Sequence, residues 1–156
     1  MPVWKTGERE AIMESTTMGR VVVAAVIENL HDLYELSQGQ RTAEQVRRVE
    51  VTDALVDTGA TGLLLPKRLV QQLGLQPLHV RQARTIAGPA NLPVFRAVRL
   101  TIQNRDCISD VGEIADECPV IIGQVPLELL DWVVDPKRQQ LIGNPEHGGQ
   151  HMVDVF

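Results

Sequence analysis

The sequence predicts an all-β domain carrying one or two short helices. Three observations point there. Aromatic residues make up 3% of the chain against 44% hydrophobic residues, so Val, Leu, Ile and Ala must build the core. Branched Val and Ile pack well on a pleated surface. Short apolar or alternating runs recur along the chain between Gly, Pro, Asn and Asp, which is strand-and-turn punctuation. Only two stretches, each opened by a proline, carry a helical stripe. A length of 156 residues fits one domain.

In chain order, residues 1–17 read as a flexible N-terminal extension, 18–145 as the folded domain and 146–156 as a C-terminal tail. "GRVVVAAVIEN" is a strand, and "HDLYELSQGQRTAEQ" a polar excursion with a helical turn. "VRRVEVTDALV" is a second strand with Val49, Val51 and Leu55 on one face; Asp53 breaks that parity and suggests a bulge. A short strand, "LLLP", feeds a two-turn helix in which Pro66 suits the first position, Leu69, Val70 and Leu73 form the stripe, and Gly74 ends it. A long hairpin follows with its tip near Ala87 to Leu92; its second arm puts Val94, Val98, Leu100 and Ile102 on one face. "RDCISDVGEI" is a strand, "PVIIG" a short buried strand, "VPLELL" a helix and "WVVDPKRQQLI" a closing hairpin. "HMVDVF" reads as a terminal strand. The segments "LLLPKRLV" and "VIIGQVPLELL" form a faint repeat, each an apolar strand feeding a helix started by a proline.

Composition excludes several functions. A formal net charge of −5 argues against a nucleic-acid partner. No run approaches the ~20 apolar residues that span a bilayer, so no membrane partner is expected. The N-terminal segment has acids and no apolar centre, unlike a signal peptide, which makes a cytoplasmic protein the expectation. Cys107 and Cys118 lack C-x-x-C spacing and read as reduced, buried thiols. His147 and His151 are four apart, but Gly148 and Gly149 between them oppose the helix that would align them. They read as a solvated tail; no metal and no cofactor is expected.

The chemistry concentrates in "VTDALVDTGATGLLLP". An apolar strand stops at Asp57, followed by Thr58-Gly59-Ala60, and apolar residues then resume. Gly59 permits a tight turn and close approach of another backbone. Thr58 offers a hydroxyl, Ala60 leaves room, and the apolar flanks limit solvent. A lone carboxyl there is unfavourable. Two acids side by side can share one proton, one acting as base and the other as acid. No second D-[TS]-G follows: Asp110-Val111-Gly112 lacks the hydroxyl and reads as strand and turn. A partner acid must come from a second copy across a twofold axis.

"ALVDTGATGLLLP" resembles the catalytic loop of the retropepsin-like aspartic proteases, single-domain homodimeric relatives of retroviral protease, and the chain is more similar to their bacterial branch. "PVIIGQVPLELLDWVVDP" matches the family's downstream apolar-apolar-Gly segment at Ile121-Ile122-Gly123, and "TIAGPANLPVF" lies where the family carries its flap; the likeness covers about residues 19–142. It implies a closed acid-protease barrel and a homodimer that cleaves peptide or protein substrates with one Asp57 from each chain. Thr58 would bond across the dimer, Gly59 and Ala60 would complete the loop, and Ile121, Ile122 and Gly123 would support it. Ile86, Ala87, Gly88 and Pro89 would cover the substrate, with Val80, Val94 and Ile122 lining its pocket. Activity should fall as pH rises far enough to ionise both acids.

Departures are informative. Thr61 and Gln124 stand where viral members carry an acid and an arginine, which suggests neutral packing in place of an ion pair. The flap, with one Gly and a Pro, should be stiffer. The 31–45 insertion has no viral counterpart. Actin-like ATPases use a D-x-G-x-T loop but need two lobes and a far longer chain. Phosphoaspartate enzymes use D-x-D-x-T or D-K-T-G-T, whereas here Gly59 stands where the second acid belongs and no Lys follows Asp57. The rival reading is a noncatalytic dimeric peptide-binding or regulatory module on the same fold. Two roles fit the tail, as an interface strand or as an inhibitory segment over the cleft.

Overall fold

The computed structural model describes residues 20–155; the expected extension at 1–17 lies outside them. Strand β1 (Val21–Asn29) is followed by helix α1 (Leu30–Ser37) and β2 (Arg48–Val56). Then come β3 (Leu63–Pro66), α2 (Lys67–Gln72), β4 (Gln76–Thr85), β5 (Gly88–Ile102) and β6 (Arg105–Ile114). The chain continues through β7 (Ile121–Ile122), α3 (Gln124–Leu130), β8 (Trp132–Asp135) and β9 (Gln140–Gly143).

Seven strands form one sheet in the order β1-β2-β7-β3-β6-β5-β4. Strand β1 also pairs with β5, Ile27 opposite Leu100, so the sheet closes into a ring with β4 outside it. The all-β class is borne out, and the expected closure takes this form. Closure pairs Val26–Asn29 with Val98–Thr101 and so covers that part of the edges that β1 and β5 would otherwise expose. Inside lie Ile27, Leu63, Leu65, Leu100, Ile102 and Ile122, all without meaningful exposure. Each such side chain contributes about 1.5–3 kcal/mol through burial. No helix among the described residues is long and apolar enough to cross a membrane.

Several local expectations are corrected. The bulge near Asp53 is present: pairing passes from Val23–Ala54 to Ala25–Val51, leaving Thr52 and Asp53 opposite Ala24. The insertion is more ordered than a polar excursion with a turn. Asn29 caps α1, its Oδ1 accepting from the Asp32 amide at 3.0 Å, and its Nδ2 donates to the Leu73 carbonyl at 2.8 Å. Asp32, fully buried, accepts from the Arg47 amide and guanidinium, each at 2.9 Å. Helix α1 is therefore a third helix where one or two were expected. Pro66 stands one residue before α2 rather than at its first position.

The long hairpin turns earlier and more tightly than expected. Thr85 pairs with Gly88, so only Ile86 and Ala87 form the tip, and residues 88–92 belong to β5. Residues 88–93 pair with β4 alone; β6 joins at Val94. Pro89 and Pro93 are tolerated there because that length of β5 has a free edge. Asp110-Val111-Gly112 lies wholly within β6, without the expected turn. The two repeat segments become β3–α2 and β7–α3, and their strands are antiparallel neighbours, Leu63 opposite Ile122. Residues 151–155 form no strand within the chain.

Candidate active site

Strand β2 delivers Asp57 at its end, where the pairing of Leu55 and Val56 with β7 stops. The Asp57 amide donates to the Ile122 carbonyl at 3.0 Å. The chain then turns: the Ala60 amide donates to the Asp57 carbonyl at 3.0 Å, and the Gly59 amide to Asp57 Oδ1 at 2.9 Å. A side chain at Gly59 would stand 3.2 Å from that oxygen, so a small residue suits the position. Asp57 and Ala60 are half-buried, while Thr58 and Gly59 are exposed. Among the described residues no cation pairs with Asp57, and the Thr58 hydroxyl has no partner.

Helix α3 holds the loop from behind. A helix start has amides without partners of their own. Here Gly123, Gln124 and Val125 donate theirs to the carbonyls of Gly62, Ala60 and Thr61, each at 2.9 Å. The fit leaves no room at Gly123, where a Cβ would meet Gly62 O at 2.5 Å and Ala60 O at 2.7 Å. Main-chain bonds thus join Gln124 to Ala60 and Thr61 to Val125, not Thr61 to Gln124. The Thr61 and Gln124 side chains are exposed, and Gln124 Nε2 turns to Glu128 at 3.0 Å, so the expected neutral packing between them does not form.

The hairpin tip is fastened by Thr85 Oγ1, which donates to the Gly88 carbonyl at 2.6 Å. Gly88 takes φ +114°, a conformation L side chains rarely adopt. Ile86, Ala87 and Pro89 are exposed around it. Of the proposed pocket residues, Ile122 is fully buried and Val94 only 5% exposed, so both belong to the protomer's interior. Val80 is 61% exposed, but it pairs with Pro93 while Leu92 pairs with Arg81, which puts Val80 on the opposite face from Leu92 and Val94. These three line no common pocket.

A different set sits beside Asp57. Leu64, Leu92, Ala60 and Ala115 pack, partly exposed, on a small cluster of Ile114, Cys118 and Ile121. Strand alternation carries the signal for Leu64: Leu63 and Leu65 point into the ring, so the middle leucine must face the other way. Leu92 offered no such sign, because it fell in the segment read as the hairpin tip. A separate shallow groove of about 510 Å³, lined by Arg48, Val49, Glu50, Val51, Leu69 and Gln72, includes none of these residues.

Near the C-terminus, His147 is not solvated as expected. Its Nδ1 lies 2.6 Å from Asp131 Oδ2, which also accepts from the Met152 amide at 3.1 Å. Cys107 and Cys118 are buried; burial, then the charge of Asp106, pushes the Cys107 thiol up to about 11, which suppresses thiolate chemistry.

A family model described as aspartyl protease matches residues 41–128, from the approach to β2 into α3, and so includes the Asp57 loop, the hairpin and Ile121-Ile122-Gly123. No curated protein matches the chain.

Proposed function

The chain belongs to the retropepsin-like aspartyl protease family, and from that premise we propose that it is an aspartic endopeptidase whose active form is a homodimer. The carrying observation is the Asp57 loop itself. One carboxyl per chain stands beside an exposed Thr58 hydroxyl that has no partner among the described residues, on a turn braced by the amides of Gly123, Gln124 and Val125 and by the Ile122 carbonyl. Bracing of that kind keeps a reacting group in place, which is where much of an enzyme's advantage arises.

A twofold axis between two such loops supplies the second acid. With one proton shared, the ionised Asp57 takes a proton from a water held between the pair, and the water oxygen attacks the peptide carbonyl carbon. The protonated Asp57 gives its proton to the carbonyl oxygen. Collapse of the resulting diol breaks the C–N bond: the protonated Asp57 gives its proton to the leaving nitrogen while the ionised Asp57 takes one from a diol hydroxyl, so the dyad again holds a single proton. Thr58 of each chain bonds across the axis, and Gly59 admits the substrate backbone. Ile86 to Pro89 close over an extended peptide, with Leu64 and Leu92 against its side chains.

Support for dimerisation comes from the same end of the molecule. Val125 and Leu129 of α3 are 46% and 39% exposed, and the tail leaves Met152, Val153 and Val155 in solvent. Exposed apolar residues gathered beside a functional loop suit a self-complementary interface.

The deciding experiment is peptide-library digestion at mildly acidic and neutral pH, comparing wild type with Asp57→Asn. Cleavage by wild type alone supports the endopeptidase. Turnover by both proteins removes Asp57 from the chemistry, and silence from both favours a noncatalytic peptide-binding module.

A further inference from the structure

No carboxylate stands between Asp57 and Asp106, although acids outnumber Lys and Arg by 20 to 15 over the whole chain. The cations of that stretch are not equivalent. Arg99 pairs with Glu28 at 2.9 Å, and the Arg68 side chain donates to the Asp116 carbonyl at 2.8 Å. Arg81 and Arg84 of β4 are exposed and have no side-chain partner among the described residues.

Strand pairing separates these two arginines. Residues opposite one another in an antiparallel pair share a face of the ribbon. Arg81 is opposite Leu92, and Leu92 packs on the cluster that includes Ala60 and Leu64 of the Asp57 loop and β3. Arg81 therefore lies on the face that turns toward the catalytic loop. Arg84 is opposite Pro89, on the other face, with Gln82 and Asn91, whose side chains bond at 2.7 Å.

We infer that Arg81 determines specificity, selecting peptides with an Asp or Glu side chain a few residues from the scissile bond. Strand rise sets it about 17 Å from Ile86 at the tip, so it meets flanking side chains and not the reacting atoms. Its guanidinium offers a fork of donors matched to a carboxylate. The surrounding segment holds no acid to compete. In a twofold dimer both flaps carry Arg81, so an acid on either side of the bond is favoured. The inference rests on the endopeptidase reading above.

The test uses matched peptides that differ only in Glu against Gln at flanking positions. Wild type is assayed for kcat/KM, and Asp57→Asn protein for binding of the intact peptides by fluorescence anisotropy. The Glu peptide should be preferred about two- to fivefold, the range for an exposed ion pair, and the preference should shrink in high salt. Arg81→Gln should abolish it, Arg81→Glu should transfer it to a Lys peptide, and Arg84→Gln should leave it in place. Equal or absent binding of the two peptides, or a preference that survives Arg81→Gln, overturns the assignment. Absence of cleavage with a Glu preference intact in the binding arm would remove the protease reading and keep the role of Arg81.

Discussion

The amide of Asp57 donates to the carbonyl of Ile122 at 3.0 Å, so the acid hangs from a strand far downstream in the sequence. Gly123, the next residue, is packed against the loop that Asp57 opens. Gly123→Ala would place a methyl 2.5 Å from Gly62 O, and the main chain on either side must give. Overpacking of this kind costs about 1–3 kcal/mol, and displacement of the acid should lower kcat/KM by about a hundredfold. Gly62→Ala is the control: a Cβ there meets nothing within 4 Å, and φ is not positive. Melting temperature and peptide turnover, measured on both variants, separate the two expectations.

The α1 insertion makes a second prediction. The Arg47 hydrogen bond holds the Asp32 carboxyl below its ordinary 3.8. A carboxylate depressed in the folded state stabilises above 3.8 and loses that contribution as pH falls through the lowered value. Asp32→Asn keeps the shape and removes the charge from a fully buried site. We expect a loss of about 3 kcal/mol at neutral pH, with Arg47 left partly in water. Urea unfolding at pH 7 and again near pH 2 checks it: the gap between wild type and variant should narrow in acid. A gap constant with pH would show that the pair's charge contributes little.

That pair also explains what the sequence hid. Strands β1, β2 and β6 were legible because alternation or continuous apolar runs mark them directly, and the Asp57 loop because a strand signal halts at an acid and small residues. Helix α1 was not legible, since its order depends on Asp32 finding Arg47 across a loop. The hairpin tip was misplaced for another reason. Gly88, Pro89 and Asn91 are turn formers by propensity, yet a free strand edge tolerates the prolines, and Gly88 serves the first paired position after the turn. The candidate pocket residues rested on apolar character, which does not say which face of a strand a side chain takes. Pairing register does, and it puts Leu92 and Arg81 together on one face with Val80 on the other.

The tail clasp predicts a pH dependence. Its hydrogen bond to Asp131 raises His147 above its ordinary 6.5. Burial pushes Asp131 up, but bonds from His147, the Met152 amide and Asn144 outweigh it and hold the carboxyl at about 2, against 3.8. Asp154, 3.8 Å from His147 Nε2, and neighbouring Glu146 add to the raising of His147. The histidine's contribution is complete below 6.5 and lost as pH rises through the raised value. That of Asp131 is present above 3.8 and lost as pH falls toward 2. The clasp is therefore strongest between about pH 4 and 6.5. Amide exchange at residues 144–154 should quicken from about pH 7 upward, after correction for the intrinsic rate. His147→Gln should flatten that dependence; equal slopes in both proteins would rule the clasp out as its origin.

Removal of the tail tests what its apolar residues are for. His151 Nε2 contacts the Leu129 carbonyl at 3.0 Å, so the tail runs beside the exposed side of α3. Met152, Val153 and Val155 are 50%, 62% and 88% exposed there, an arrangement unfavourable for a protomer alone. Deletion of residues 152–156 leaves Asp131 with His147 and Asn144, so the fold should persist. If the tail is part of the interface, the dimer dissociation constant should rise at least about tenfold, the equivalent of burying one modest side chain. Turnover would then fall at low protein concentration and recover at high concentration, because only association has been weakened. An inhibitory segment gives the opposite sign: deletion raises turnover at every concentration and leaves sedimentation unchanged. Sedimentation equilibrium read beside concentration-dependent activity distinguishes the two, since one removes a contact between chains and the other uncovers a cleft already formed.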